Sequence, residues 1–170
     1  MGRRRAIALV IVSVWIGWTL FMWYAATRSF RAASEIWQKP QPEVARLLKP
    51  LGESASVELL HHFAAEVNAA DFRAYGLAQI LLGIALALLL WWQTPRDTAA
   101  FVITCVMLAL VVILAAIIAP EIASVGRRVD FNASPKDMAH FWALHGAYTG
   151  LDGAKLLAAV FLAVRWILMA

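Results

Sequence analysis

The sequence has little of what a soluble enzyme uses. Cys105 is the only cysteine, so no disulfide can form within the chain. Charged residues make up only 15% of the 170 positions, whereas hydrophobic residues make up 62%. Soluble domains are about 25% charged and about 45–50% apolar, and a single water-soluble core cannot bury a larger apolar share. The composition therefore predicts an integral membrane protein.

Short catalytic and ligand-binding motifs are also missing from the sequence. It has no Gly-x-Ser-x-Gly, no His-Glu-x-x-His, no Cys-x-x-Cys and no glycine-rich phosphate loop. The net charge of +4 comes from short basic clusters at the ends of apolar blocks, not from a basic stripe interleaved with aromatics. We therefore predict a protein that is not an enzyme, uses no cofactor and binds no nucleic acid. The expected partner is membrane lipid, and the sequence leaves open a homo-oligomer or a larger membrane complex.

The apolar residues are gathered into four blocks of about 20 residues, the length that crosses roughly 30 Å of hydrocarbon as a helix. We place these spans at residues 6–26, 75–92, 99–119 and 147–169 of one domain covering 1–170. The first block follows three arginines as in a signal peptide, but it exceeds the signal peptide's apolar core of about 7–15 residues. The predicted fold class is all-α, a bundle of four transmembrane helices.

Prolines and a capping residue predict where two of these helices end or begin. A short connection containing Pro95 predicts that the second and third helices form an antiparallel hairpin, and Pro120 is expected to end the third helix. Ser134 can cap the last helix, Pro135 suits its first position, and Asp137 lies near the positive end of its dipole. Nothing breaks that helix before the last residue.

The segment 27–74 connects the first two spans and is not a random linker. Two proline-containing breakers, at 39–42 and 49–52, precede a stretch in which apolar residues recur at helical spacing among charged ones. This pattern predicts an amphipathic extramembrane helix. The helix either lies on the membrane surface or extends the second span outward.

The basic residues give a prediction for orientation. Arg3, Arg4 and Arg5 precede the first span and favour a cytoplasmic N-terminus. We predict a multi-pass protein of the bacterial inner membrane with both termini in the cytoplasm. Residues 27–74 and 121–145 would then lie on the outer side.

The last helix is the richest in polar residues. Four of these polar residues recur at helical spacing and so share one face of the helix: His145, Tyr148, Asp152 and Lys155. Asp152 and Lys155 are three residues apart and can pair. We interpret this face as a polar path for a small solute, lipid or ion. The alternative is an internal ion pair that only sets helix register.

A second polar row, Asn68, Tyr75 and Gln79, lies on the helix of the second span. Such residues supply hydrogen bonds and close packing between membrane helices without any chemistry. Structural hydrogen bonding is the interpretation that we prefer for this row.

Four histidines, His61, His62, His140 and His145, fall on the same side of the membrane, which raises the hypothesis of a haem or metal site. Adjacent histidines, however, point to different faces of a helix, and no recognised metal-binding spacing occurs. We predict no metal site. A haem or metal redox subunit would require His61 or His62 to converge on His145.

The stretch Phe141-Trp142-Ala143-Leu144-His145-Gly146-Ala147-Tyr148 resembles the Phe-x-x-Leu-His-Gly signature of the bacterial membrane proteins of domain-of-unknown-function family 4149, related to the transmembrane protein 205 group. Trp15-Ile16-Gly17, Glu66-Val67-Asn68 and Pro120 also resemble the pattern of that family. The resemblance implies a four-helix membrane protein without an established reaction. The long segment 27–74 departs from it and is a candidate docking surface for a partner.

Three hypotheses follow for function. A non-enzymatic bundle that handles a small solute, lipid or ion predicts that the polar face of the last helix points inward. An accessory subunit of a larger complex predicts an uncovered helix face of small residues, such as Gly150 and Ala154. A redox subunit predicts the histidine convergence given above.

Overall fold

The computed structural model describes residues 2–93, 97–132 and 134–169. Every element in these ranges is helical, as predicted. The elements are α1 (Arg3–Gln38), α2 (Pro42–Leu48), a 3₁₀ turn (Lys49–Leu51), α3 (Gly52–Trp91), α4 (Thr98–Ile113), a π-helical turn (Leu114–Ile118), α5 (Ala119–Asn132) and α6 (Pro135–Leu168).

Four long rods pack into a closed ring, since α4, the π turn and α5 form one continuous rod. Helix α1 packs against α3 and α6, and the α4–α5 rod also packs against both of them. Within the described residues the backbones of α3 and α6 do not approach closely, so these two helices lie diagonally across the ring, as do α1 and the α4–α5 rod. The centre of the ring is filled by buried apolar side chains, among them Ala8, Val12, Trp15, Leu86, Met107, Val111, Leu162 and Trp166.

Among the residues that the structure describes, three helical stretches are long and apolar enough to cross a membrane: Arg3–Gln38, Pro42–Trp91 and Thr98–Val129. Their outward faces expose large apolar side chains, for example Val10, Phe21, Leu77, Leu81, Val102 and Val106. An apolar surface of this extent is unfavourable in water and suits contact with lipid. The membrane class predicted from composition agrees with these faces.

Helix α3 resolves the alternatives left open for the segment 27–74. It runs without interruption for 40 residues, so the amphipathic stretch extends the second apolar helix instead of forming a separate one. Helix α1 likewise continues to Gln38, well past the first apolar block. Both predicted breakers interrupt the helical path, at 39–41 and at 49–52. In the second, Gly52 adopts a φ of 75°, which residues other than glycine rarely adopt.

The prediction that Pro120 ends the third helix is wrong. The helix continues through Pro120 to Asn132, so much of the expected connection at 121–145 is α5 and the start of α6. Proline lacks an N–H, and its ring clashes with the carbonyl four residues earlier in a regular α-helix. A π turn precedes Pro120, and in it the Ala119 N–H donates to the Leu114 carbonyl, five residues back. The wider turn accommodates the proline without a break.

The predicted start of the last helix is confirmed. The Ser134 hydroxyl accepts a hydrogen bond from the Asp137 N–H at 3.1 Å, and Pro135 occupies the first helical position. Helices α3 and α4 pack side by side, as expected for the predicted hairpin. Residues 94–96, which include Pro95, lie outside the described ranges.

Hydrogen bonds tie together the end of the ring that holds both termini. Asp97 accepts from the Arg165 guanidinium at 2.6 Å and from the Trp166 indole at 3.2 Å. Arg5 donates to the Met169 carbonyl at 3.1 Å, and Arg4 donates to the Trp92 carbonyl. Burial opposes ionisation of Asp97, but the hydrogen bonds that it accepts, first that from Arg165, outweigh burial and hold its pKa below the usual value.

Candidate functional site

An ion pair lies inside the ring. Lys155 Nζ is 2.5 Å from Asp152 Oδ1, and the two side chains are 1% and 0% exposed. Both lie on the inward face of α6, so the predicted pairing is confirmed. A buried charge is tolerated only when it is paired and its remaining hydrogen-bonding capacity is used. The neighbouring helices supply those hydrogen bonds.

Helix α3 contributes two polar side chains to the ion pair. The Tyr75 hydroxyl lies 3.2 Å from Asp152 Oδ1 and accepts from Lys155 Nζ at 3.4 Å. The Gln79 side-chain carbonyl accepts a second hydrogen bond from Lys155 Nζ. These long side chains therefore connect α3 and α6, the two helices whose backbones do not pack directly.

Helix α1 completes the site with Thr19 and Trp23. The Trp23 indole N–H donates to Asp152 Oδ2 at 2.7 Å. Thr19 Oγ1 accepts from Gln79 Nε2 at 3.0 Å and lies 3.1 Å from the Tyr75 hydroxyl. The single Tyr75 proton can thus serve either Thr19 or Asp152. We refer to these six residues, Thr19, Trp23, Tyr75, Gln79, Asp152 and Lys155, as the polar cluster.

No sequence pattern singles out Thr19 or Trp23. Both lie in an apolar helix where hydroxyl and indole groups are common, and their spacing of four residues is the only sign that they share a face. Their role becomes evident only once α1 is placed beside α6.

Both members of the ion pair have hydrogen-bond partners within the polar cluster. The Lys155 ammonium has three donors and has Asp152, Gln79 and Tyr75 as acceptors, while the Asp152 carboxylate accepts from Lys155 and Trp23. One positive and one negative charge leave it neutral. An acid and a base in direct contact can exchange a proton, and opening of the cluster would offer a carboxylate to a small cation.

The other members of the predicted polar face lie outside the cluster. Tyr148 is half-buried, and its ring packs edge-on against Phe72 with centroids 5.3 Å apart. The His145 ring packs on Phe141 at 4.3 Å, and its Nδ1 is 3.3 Å from the Phe141 carbonyl. Only Asp152 and Lys155 of that face therefore reach the centre of the ring.

Asn68, from the second polar row, lies in a separate contact between α1 and α3. Its side-chain carbonyl accepts from Ser29 Oγ at 2.9 Å, and its amide donates to the Ala26 carbonyl at 3.3 Å. This arrangement has the form expected for structural hydrogen bonding. The row is thus divided, because Tyr75 and Gln79 belong to the polar cluster and Asn68 does not.

Two of the histidines contact side chains other than histidine. The His61 ring packs edge-on against Phe30 at 6.2 Å, and His140 Nε2 lies 3.5 Å from a Glu121 carboxylate oxygen. Across residues 2–93, 97–132 and 134–169, no group of three or more His, Cys, Asp or Glu side chains is arranged to hold a metal ion. The geometry therefore directs attention to the polar cluster.

The fold and the site define a helical protein with three membrane-length apolar stretches and an ion pair enclosed by its helices. Comparison of the chain with protein-family models, curated proteins and solved structures finds no match. Its function is therefore argued from its own residues.

Proposed function

We propose that the chain is a non-enzymatic, four-span protein of the bacterial cell membrane that handles a proton or another small ion at the Asp152–Lys155 pair. The observation that carries this proposal is the complete burial of the pair between α1, α3 and α6. An ionisable group at membrane depth costs several kcal/mol, so such groups commonly mark ion or proton pathways.

The packing of α6 supports its assignment as the fourth span. It closes a ring whose other three rods include the membrane-length stretches, and it exposes Leu157, Phe161 and Val164 on its outer face. Lys155 is ten residues before Arg165, or about 15 Å along the helix. If Arg165 lies at one membrane boundary, Lys155 lies near the middle of a hydrocarbon layer of roughly 30 Å.

Three arginines support cytoplasmic termini. Arg3, Arg4 and Arg5 lie directly before the first span. Lys and Arg close to a membrane span favour the cytoplasmic side, and the first span usually sets the orientation of the others. The segments 27–74 and 121–145 carry more Lys and Arg in total, but these are spread over a longer stretch of chain.

Cysteine labelling tests this orientation. In a Cys105→Ser background, we expect Leu47→Cys, on the exposed surface of α2, to react with a membrane-impermeant maleimide in intact cells. Gly2→Cys, at the terminal end, should react only after the membrane is permeabilised. The reverse pattern would overturn the orientation. Labelling of both positions in intact cells would overturn the topology.

Proton flux tests the proposed function. The purified protein is reconstituted into liposomes that contain a pH-sensitive dye, and a potassium diffusion potential drives protons inward. We expect acidification faster than in empty liposomes. The double variant Asp152→Asn with Lys155→Met should reduce the rate to that of empty liposomes, because it removes the exchangeable proton and the carboxylate while keeping the site neutral.

Thr149→Ala provides the matched control, since Thr149 lies on α6 but faces outward. Its rate should equal that of the unaltered protein. The proposal fails if the unaltered protein acidifies liposomes no faster than the lipid alone, or if the double variant keeps the full rate. Folding of each variant is checked by circular dichroism in the same detergent.

The second candidate is an accessory subunit of a larger membrane complex. One face of α6 exposes the small residues Gly146, Gly150 and Ala154, spaced four apart, and a Cβ added at either glycine would meet nothing within 4 Å. Small residues at this spacing allow another membrane helix to approach closely. This candidate becomes the better one if the flux experiment fails and the protein co-purifies with a stoichiometric partner.

A further inference from the structure

The polar cluster is closer to one end of the ring than to the other. On α1, Trp23 lies five residues before Arg28 and eighteen residues after Arg5, or about 8 Å and about 27 Å along the helix. On α3, Tyr75 lies two residues after Arg73, whereas no charged residue follows it before the end of the helix. Charged side chains avoid the hydrocarbon and mark its boundaries. On these two helices the cluster is therefore nearer to the end of the ring opposite the termini.

The packing of α6 changes at Asp152. Charged residues lie at similar distances from it in both directions on this helix, at Asp137 and Arg165, but burial differs. Toward the termini the inward side chains of α6 are buried: Lys155, Ala159, Leu162 and Trp166. Toward the other end, no residue from Pro135 to Leu151 is buried. Helix α6 is therefore tightly packed only from Asp152 to the terminal end.

The half of the ring toward the termini is closed. The hydrophobic core fills it, and at its end Arg165 and Asp97 form an ion pair whose side chains are only 22% and 10% exposed. Close-packed apolar side chains leave a proton or a small cation neither space nor hydrogen-bonding groups on its way. Exchange with the solution at that end would require the helices to separate.

Trp23 is the member of the polar cluster that reaches the surface. The other five members are at most 2% exposed, whereas Trp23 is partly exposed. Its indole N–H donates to Asp152 Oδ2 at 2.7 Å, and a second contact of that oxygen, with the Tyr75 hydroxyl, is longer at 3.4 Å. Rotation of the indole away from α6 would therefore uncover Oδ2.

We propose that the Asp152–Lys155 pair is reached from the aqueous phase opposite the termini, and that the Trp23 ring covers this route beside Asp152 Oδ2. The route is a property of the packing and does not depend on what uses it. Only its use by ions rests on the proposed function: a proton or small cation enters from this side and takes the place of the indole N–H at Oδ2. Ionisable groups in membrane helices commonly face such a route.

A cysteine in place of Asp152 tests the route directly. In a Cys105→Ser background, the double variant Asp152→Cys with Lys155→Met puts a thiol at the site and removes the charge of the lysine. A membrane-impermeant methanethiosulfonate is applied to intact cells and to inverted membrane vesicles, and Leu47→Cys and Gly2→Cys identify the end of the ring that each preparation exposes. We expect the thiol to react in the preparation in which Leu47→Cys reacts, and not in the one in which Gly2→Cys reacts.

Further substitutions test the part assigned to the Trp23 ring. Trp23→Ala, added to the variant with the thiol, uncovers the site and should make the reaction several-fold faster, whereas Trp23→Phe keeps an aromatic ring and should leave the rate nearly unchanged. Trp18→Ala is the matched control, because it makes the same substitution at an exposed position of α1 and should not alter the rate. A thiol placed instead by Ala159→Cys, in the closed half of the ring, should react in neither preparation.

The side and the rate of the reaction decide between the alternatives. Reaction from the terminal end, from both ends alike, or from neither end even in Trp23→Ala would overturn the route. Equal rates with and without the Trp23 ring would support the route and overturn the part assigned to Trp23. A thiol that reacts from the expected side, in a protein whose unaltered form passes no protons in liposomes, would support the route and overturn the proposed function.

Discussion

Asp152→Asn alone is expected to lower the free energy of unfolding by about 3–5 kcal/mol, the cost of leaving one member of a buried ion pair without its partner. Lys155 is 1% exposed and would be left with neutral acceptors alone, among them Gln79 and Tyr75. The double variant Asp152→Asn with Lys155→Met should recover most of this loss, because it leaves no buried charge. Thermal or denaturant unfolding of the purified protein in detergent measures both changes.

An exposed ion pair provides the comparison. Arg127 Nε lies 2.6 Å from Glu66 Oε1, and these side chains are 52% and 37% exposed. Solvent screens such a pair, so Glu66→Gln should have a far smaller effect on unfolding than Asp152→Asn. Equal effects at the two sites would contradict the assignment of Asp152 to a low-dielectric interior. A double variant as unstable as Asp152→Asn alone would show that the hydrogen bonds, and not the charges, are essential.

The stability and flux measurements on the same double variant separate the two interpretations of the ion pair. A pair that only sets helix register predicts that the double variant differs from the unaltered protein in stability alone. A pair that handles an ion predicts a folded double variant without flux. The neutral, well-packed replacement is therefore more informative than either single change, which mixes loss of function with loss of fold.

A residue of the site could be predicted from the sequence only if its type is unusual in an apolar helix. Asp152 and Lys155 stand out because charges are rare there, and helical spacing alone predicts their pairing. Thr19 and Trp23 do not stand out, since threonine and tryptophan are ordinary in membrane helices. Their contacts depend on the placement of α1 beside α6, which no local pattern encodes.

The fold shows the same division between local and non-local signals. The start of α6 follows from Ser134 and Pro135, whose effects act within one helical turn. The end expected at Pro120 was wrong because the π turn at Leu114–Ile118 offsets the local effect of the proline. That turn also contains Ala115, whose Cβ would lie only 2.8 Å from a Cβ added at Gly76. The close approach of α3 to this turn is set by packing between helices, not by the sequence around Pro120.

Gly76→Ala is expected to destabilise the protein by roughly 1–3 kcal/mol, the usual cost of overpacking a close contact. The new Cβ would meet the Ala115 Cβ at 2.8 Å and its Cα at 3.7 Å, so α3 and the π turn would have to separate. This loss should appear although alanine forms helices better than glycine by about 1 kcal/mol. Unfolding in detergent measures the change.

Gly17→Ala is the matched control, because a Cβ added at Gly17 meets nothing within 4 Å. The same substitution should there be neutral or stabilising, as helix propensity alone dictates. Ala115→Gly in the Gly76→Ala background removes the opposing Cβ and should restore part of the lost stability. Equal effects of Gly76→Ala and Gly17→Ala, or no coupling between positions 76 and 115, would mean that α3 does not rely on this close approach.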